Sequence, residues 1–592
     1  MNTEKESLQG IGVSEGVCIG RVSLLERRHI RIPRNHIIRG QEAFEISRIK
    51  TALEKSVTQL ESIRTRFMED GVDHQLILEA HELILKDEEL LSDTSKLIHA
   101  EKINAEWAFS KIIQQIRSMF EDMNDPYLKE RRGDIDFVGE RVLRNLVGIS
   151  PELKGVADVG VGSVLIAHDL SPVDVVILSH RRITAIVTEK GSSTSHTAII
   201  ARSLGIPAVV GCKNVFSLAG DGDIIIVDGF SGEVSLHPKT EVLQTARQKN
   251  HRYQSSHNAI LRDKFSPSIT ADNVQITLEG NIELPFEASN VVENGGEGIG
   301  LYRTEFLYLS PENPPTTEHH IRTYCSIFNE LGNTPVTLRL FDLEADKSFG
   351  TLEKAAKEPN PALGLRGIRF ALKENQLLED QLEGILRASE FGNFKILIPM
   401  LTTLEELRIV KEKVQTITNR LKQEGLKQEN TPEIGAMIEV PATALITDQL
   451  AEKVDFLSIG TNDLIQYLCA IDRINDSVAY LYNPLSLPVL RMLSTIYQQA
   501  TTHTDNLTIC GEMAGDINCL PALIGLGFRK FSMNAGSIPK AKYVIRRLNV
   551  SKCEELAGNI LESSISNPSR LIRDYLKTIL AADHGLLELL DL

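Results

Sequence analysis

Between residues 40 and 145 apolar side chains recur every third or fourth position. The stretches FEISRIKTALEKSVTQLESIRTRF and HQLILEAHELILKDEELL carry them on one helical face, with glycine and proline sparse, so the period predicts a helical subdomain. On either side the period changes. The opening GIGVSEGVCIGRVSLLE alternates with glycine and predicts β-structure, and from about residue 150 β and α segments alternate from SVLIAHDLSP to GEVSLH. The first β-segment and the later α/β block are therefore expected to form one domain with the helices inserted into it. The polar stretch TEVLQTARQKNHRYQSSHNAIL predicts a linker helix. Beyond residue 265, VTLRLFDLE, KILIPML, EIGAMIEVPA, VDFLSIGTND, LTICGEMAG and KFSMN are short apolar runs followed by polar residues. That is the pattern of a β/α barrel with its chemistry at the strand C-termini.

Composition narrows the picture only a little. A chain of 592 residues is too long for one domain, and 42% hydrophobic and 24% charged residues are ordinary for a soluble globular protein. A formal charge of −16 argues against nucleic acid and suits a partner with a basic face. The N-terminus MNTEKESLQG has no apolar core for a signal peptide, and no run approaches the length of a membrane span. Seven scattered cysteines without a C-x-x-C pair fit a reducing compartment better than a disulfide framework or a zinc site. The expectation is a cytoplasmic protein with no membrane insertion.

The first candidate for chemistry is His196 in KGSSTSHTAIIARSLGIPAVVG. Ala198, Ile199, Ala201 and Leu204 have helical spacing up to Gly205, and Thr194 and Ser195 are natural N-caps, which puts His196 on the first turn. Free N–H groups there disfavour imidazolium and favour a phosphate, and a neutral imidazole is a nucleophile. A histidine in an ordinary strand–turn–helix cap is the plainer alternative. In the C-terminal half, EGIGLYRTEFLY places Arg303 and Glu305 beside a strand-like run, VTLRLFDLEADK places Arg339, Asp342, Asp346 and Lys347 after another, and NPALGLRGIR adds Arg366 and Arg369. Each arginine could be half of a structural ion pair; several at strand ends suit phosphate and carboxylate. Glu439 in AMIEVPA, with Asn462 and Asp463 in SIGTNDLIQY, could hold Mg²⁺, or Asn462 and Asp463 could cap the next helix. Cys510 in LTICGEMAGD sits where a barrel presents catalytic groups.

This ordered set resembles enzyme I of the phosphoenolpyruvate-dependent sugar phosphotransferase system, the phosphoenolpyruvate–protein phosphotransferases, from GIGVSEGVCIG to GFRKFSMNAGSIPKAK. The resemblance implies a multidomain α/β protein: a swivelling phosphohistidine α/β domain (1–30 and 148–238), an inserted helical subdomain (31–147), a linker helix (239–264) and a (β/α)8 TIM-type barrel that binds phosphoenolpyruvate and dimerises (265–592). The helical subdomain would dock the small histidine phosphocarrier protein HPr, with LEAHELILKDEEL and DPYLKERRGDIDFVGERVL in the matching region. His196, in Thr194-Ser195-His196, would take the phosphoryl group and pass it to HPr. Arg303 and Arg339 would hold the substrate phosphate, Arg473 in AIDRIND its carboxylate end, Glu439 and Asp463 Mg²⁺, with Asn462 beside the phosphate. Cys510 would protonate the enolate to pyruvate.

Two segments depart from the family pattern. Gly191-Ser192-Ser193 stands where the family has Gly-Gly and commonly an arginine, and RLFDLEADK puts Leu340 for Thr and Glu344-Ala345 for Gly-Gly. A carboxylate beside the substrate phosphate costs about 4 kcal/mol at ~4 Å and an effective dielectric near ~20, before relaxation. The expectation is an active enzyme, slowed; the alternative is a catalytically weak phosphoenolpyruvate-sensing regulatory protein of the same fold. Pyruvate phosphate dikinase and phosphoenolpyruvate synthase share the histidine domain and barrel, but need an ATP-binding domain that the β-then-helical opening does not supply.

Overall fold

Every residue of Val164–Ala167 (β4) and Ala185–Thr188 (β5) is buried, as unbroken apolar runs require when a parallel strand is covered on both faces. In the computed structural model, residues 6–25, 32–38, 40–69, 85, 88–121, 132–148, 162–170, 183–192, 195–203, 205–285, 287–308, 314–332, 334–343, 360–426, 430–473, 475, 477–562, 568–581 and 587 are described. They fall into two compact units, Met1–Gln254 and Ser255–Leu592.

The first unit is built on an eight-stranded sheet. Glu6–Gln9 (β1), Ile11–Ser14 (β2) and Val17–Leu25 (β3) precede β4 and β5, and Ala208–Val210 (β6), Ile224–Asp228 (β7) and Glu233–Leu236 (β8) follow, in the order β1-β8-β7-β3-β4-β5-β6-β2. The β3-β4-β5-β6 core is parallel, and the flanking pairs are antiparallel. Between β3 and β4 lie the helices Glu42–Glu69 (α1), Glu88–Glu101 (α2), Ala105–Glu121 (α3) and Arg132–Val147 (α4). They pack through Ile49, Leu60, Ile98, Phe109 and Val142. Arg48 of α1 ties three of them together, through Glu45 (2.8 Å), Glu106 of α3 (2.5 Å) and the Leu146 carbonyl of α4 (3.2 Å). Most of LEAHELILKDEEL, and DPYLKER, lie outside the described residues. His196–Ser203 (α5) joins β5 to β6.

Thr240–Asp263 (α6) is one continuous helix. Its Val242, Leu243 and Ala246 pack with Val17 and Ile226 in the first unit, and its Ile260 packs with Tyr543 and Leu580 in the second.

The second unit is a closed barrel of eight parallel strands: Thr277–Ile282 (β9), Ile299–Tyr302 (β10), Val336–Arg339 (β11), Phe394–Ile398 (β12), Ile434–Ile438 (β13), Phe456–Gly460 (β14), Leu507–Cys510 (β15) and Lys530–Asn534 (β16). The six apolar runs of the sequence became β11 to β16. β9 escaped the pattern because TLEGNI carries polar residues that the barrel buries. Its Glu279 pairs with Lys530 (3.2 Å), and its Asn281 accepts from Ser532 (2.6 Å), both on β16. No helix among the described residues is long and apolar enough to cross a membrane.

Outside the strand ring, Thr317–Leu331 (α7) and Asn375–Ala388 (α8) enclose a polar layer. His320 is fully buried there, its Nδ1 at 3.0 Å from the Tyr324 hydroxyl and its Nε2 at 3.4 Å from that of Tyr308. Burial, with His319 nearby, pushes its pKa down to about 3. A depressed folded-state pKa means stability that is complete above the unfolded value near 6.5 and drains away as pH falls toward 3. Between pH 6.5 and 5 the loss attributable to this group is about 2 kcal/mol. Melting curves of wild type and His320→Phe across that window are expected to show the slope in wild type and a flatter profile in the variant.

Candidate active site

The chain leaves β5 through Thr188, whose hydroxyl donates to the Lys190 carbonyl (2.6 Å). Gly191 follows with φ +115°, and a Cβ there would stand 3.2 Å from Val210 of β6; only glycine takes that backbone so close to the neighbouring strand. Ser195 Oγ then accepts the Ala198 N–H (3.4 Å) while donating to the Ser192 carbonyl (2.9 Å). Ser195 is thus the N-cap, and His196 is the first residue of α5. Thr197 Oγ1 donates to the Leu170 carbonyl beyond β4 (3.1 Å), which pins this first turn to the sheet's carboxyl edge. Ser193 and Thr194 lie outside the described residues. His168, which follows β4 at the same edge, carries no motif that marks it in the chain. Its Nδ1 lies 2.5 Å from Glu189, its ring stacks on Phe216, and its carbonyl accepts the Lys190 N–H (3.1 Å).

At the barrel's carboxyl end ion pairs join residues from four strand ends. Arg303, after β10, donates to Glu283 after β9 (2.7 Å). Arg339, the last residue of β11, is 8% exposed and pairs with Glu305 (3.0 Å) and Asp342 (3.5 Å). Asp342 receives Arg366 as a fork, Nε on one oxygen (3.1 Å) and Nη2 on the other (2.6 Å). Arg366 also reaches Asp463 (3.3 Å) and the Tyr467 hydroxyl (3.1 Å). Burial opposes the charge on Asp342, but Arg339 and Arg366 outweigh it and hold the carboxyl below its usual range. Arg339 Nε is buried with no hydrogen-bond partner among the described residues.

Glu439, beyond β13, is 1% exposed. Its Oε1 accepts the Met400 N–H (2.6 Å), and burial together with Asp463 and Asp342 pushes its pKa up to about 8 despite Arg339. Cys510 closes β15, buried against the Ser458 hydroxyl. Burial pushes its thiol up to about 12, and the charges of Glu439, Arg339 and Arg303 all act on it.

Asn462, in the first turn of Thr461–Cys469 (α9), donates to Glu512 (3.2 Å) and accepts the Glu512 N–H (3.0 Å). Arg473 is exposed in the turn after α9, with its N–H on Gln466 (3.4 Å). Among the described residues these ion pairs stop short of both. The Tyr482 hydroxyl, pushed up to about 12 mainly by burial, also feels the charges of Glu512, Arg473 and Asp463. Arg369 is turned to Thr402 (2.9 Å).

Leu340 is fully buried in the barrel's apolar layer, its N–H on the Leu397 carbonyl (2.9 Å). Glu344, Ala345, Asp346 and Lys347 lie outside the described residues. Met400 is a further participant; its φ of +56°, rare for a residue with a side chain, turns its N–H onto Glu439. Nothing in an apolar KILIPML run signals that conformation.

A parallel barrel with arginines and carboxylates converging at its carboxyl end, and a first α/β unit with a histidine at a helix start, occur here in a chain that matches the phosphoenolpyruvate-utilising enzymes along its length. Three family profiles match: PEP-utilising enzyme, N-terminal, over 9–131; PEP-utilising enzyme, mobile domain, over 159–232; and PEP-utilising enzyme, PEP-binding domain, over 258–550. The phosphoenolpyruvate-protein phosphotransferase of Priestia megaterium is 39% identical over 94% of this chain and 97% of its own. That of Geobacillus stearothermophilus is 38% identical over 95% and 96%, and that of Staphylococcus carnosus 37% over 97% and 99%. The chain belongs to the phosphoenolpyruvate-protein phosphotransferase family.

Proposed function

We propose that this chain moves the phosphoryl group of phosphoenolpyruvate to His196 and from there to the histidine phosphocarrier protein HPr, releasing pyruvate, as the first step of a sugar phosphotransferase system. The observation that carries this reading is the convergence of Arg303, Arg339, Glu439, Asp463 and Cys510 at one end of the barrel in a chain whose first unit starts a helix on His196. Arg339, oriented by Glu305 and Asp342, and Arg303 bind the phosphate of the substrate; Arg473 takes its carboxylate, and Asn462 lies beside the phosphate. The neutral imidazole of His196 supplies the lone pair, a nitrogen–phosphorus bond forms, and the bond from phosphorus to the enol oxygen breaks. The electron pair left on the enolate takes the Cys510 proton at the methylene carbon, giving pyruvate, and solvent returns a proton to the thiolate. A thiol raised to about 12 keeps that proton through neutral pH.

The residues present fit Mg²⁺. Glu439 and Asp463 are two carboxylates at this end of the barrel; burial first, then the charges of Asp463 and Asp342, raise Glu439, and Gly460 keeps space open beside Glu439, since a Cβ there would lie 2.7 Å from Oε2. Mg²⁺ is commonly held by one or two carboxylates while keeping water and substrate oxygens; among the described residues no cluster of three His, Cys, Asp or Glu is found. Bound there, Mg²⁺ would supply charge neutralisation at the phosphate.

In this reading residues 1–30 and 148–238 form the phosphohistidine domain, 31–147 the HPr-docking subdomain, 239–264 the linker helix and 265–592 the barrel, through which the chain dimerises in the cytoplasm. Phe44, two-thirds exposed on α1, is consistent with a docking face. Purified protein given phosphoenolpyruvate, Mg²⁺ and HPr is expected to put phosphate on HPr and release an equal amount of pyruvate. Binding of both ligands without phosphate on HPr would contradict the reading and favour a phosphoenolpyruvate sensor.

A further inference from the structure

Gln381 projects from α8 and is fully buried. Its amide spans the gap between the ends of β10 and β11. Nε2 donates to Thr304 Oγ1 (3.0 Å) and, more loosely, to the Arg339 carbonyl (3.4 Å), while Oε1 accepts the Phe341 N–H (3.1 Å). The backbone N–H can only donate, so the orientation of the amide is forced. Thr304 Oγ1 itself donates to the same Arg339 carbonyl (2.9 Å). Both backbone groups that flank Leu340 are therefore held from behind by one side chain. The residues immediately outside this clamp are the ones that face the site: Arg339 carries the guanidinium, Asp342 follows Phe341, and Thr304 lies between Arg303 and Glu305. Behind Gln381 the polar layer continues to Tyr324 (3.5 Å), His320 and Tyr308. A fully satisfied buried network of this kind fixes one arrangement, because any other leaves polar groups unpaired in an apolar wall.

We infer that Gln381 is a positioning residue for substrate binding: through the Arg339 carbonyl, the Phe341 N–H and Thr304 it sets the direction in which Arg339 and Asp342 enter the site. The inference rests on the reading in which Arg339 binds the phosphate of phosphoenolpyruvate. Gln381 touches no substrate, and its effect is on how tightly the phosphate is held.

The test is Gln381→Met, which keeps the length and apolar bulk of the side chain and removes its hydrogen bonds. The expected result is a KM and a calorimetric Kd for phosphoenolpyruvate raised about tenfold, the scale of one or two lost hydrogen bonds, with kcat at saturating substrate changed by less than about twofold. Thr304→Val is expected to raise KM in the same direction, and Thr304→Ser, which keeps the hydroxyl, to restore it; this pair covers the case in which Gln381→Met does not fold. A lowered melting temperature with an unchanged Kd would make the role structural only and overturn the inference, as would a wild-type KM in Thr304→Val. Failure of wild type itself to take phosphate from phosphoenolpyruvate would overturn the reading of Arg339 instead, so the two failures are told apart.

Discussion

Arg339→Met is expected to lower kcat/KM for phosphoenolpyruvate by about 10³-fold while leaving the protein folded. The size follows from where the guanidinium stands. It is 8% exposed, anchored by Glu305 and Asp342, and its buried Nε has no partner among the described residues. A donor left unpaired at that depth is costly unless a ligand completes it. Methionine preserves the packing of the stem, and Asp342 retains Arg366, so the deficit reports the lost phosphate contact more than a collapsed site. Arg339→Lys is expected to fall between the two, because an ammonium restores the charge but not the planar fork. Steady-state kinetics on both variants, with melting temperatures alongside, checks this. A kcat/KM within a few-fold of wild type in Arg339→Met would remove the residue from the phosphate site.

The second large effect belongs to Cys510. Cys510→Ala is expected to slow pyruvate formation by about 10³-fold, within the usual range for loss of a general acid. Burial holds the thiol protonated up to about 12, and the Ser458 hydroxyl fixes its direction. A proton poised at carbon has a second signature. Wild type is expected to exchange the methyl hydrogens of pyruvate with solvent deuterium, and Cys510→Ala to lose that exchange, as followed by proton resonance. Unchanged exchange and turnover would place the proton donor elsewhere.

Much of this site is legible in the chain because strand-end chemistry follows strand-length apolar runs. Arg339, Glu439, Asp463 and Cys510 each sit at or just beyond a run that became a barrel strand, and Ser195 announced the start of α5 as an N-cap. What was not legible depends on tertiary approach. β9 hid because Glu279 and Asn281 are balanced by Lys530 and Ser532, some 250 residues later in the chain. Asp342 and Arg366 read as separate charged residues until the fold joined them into a fork. Gln381 lies in an ordinary amphipathic helix, and only the closing of α8 over the ends of β10 and β11 gives its amide a task. Met400 looks like a core residue in sequence, and its positive φ, which accompanies the N–H bond to Glu439, is a tertiary feature that an apolar run does not announce. Leu340 shows the converse: a departure that looks damaging in the motif is an apolar residue placed in the apolar layer.

The central claim is that His196 carries the phosphoryl group, and the most direct measurement is incubation with radioactively labelled phosphoenolpyruvate and Mg²⁺, on wild type and on His196→Ala. The account predicts acid-labile, base-stable phosphate on wild type, as a phosphohistidine gives, and none on folded His196→Ala. Equal label on the variant, or no label on folded wild type, would contradict it.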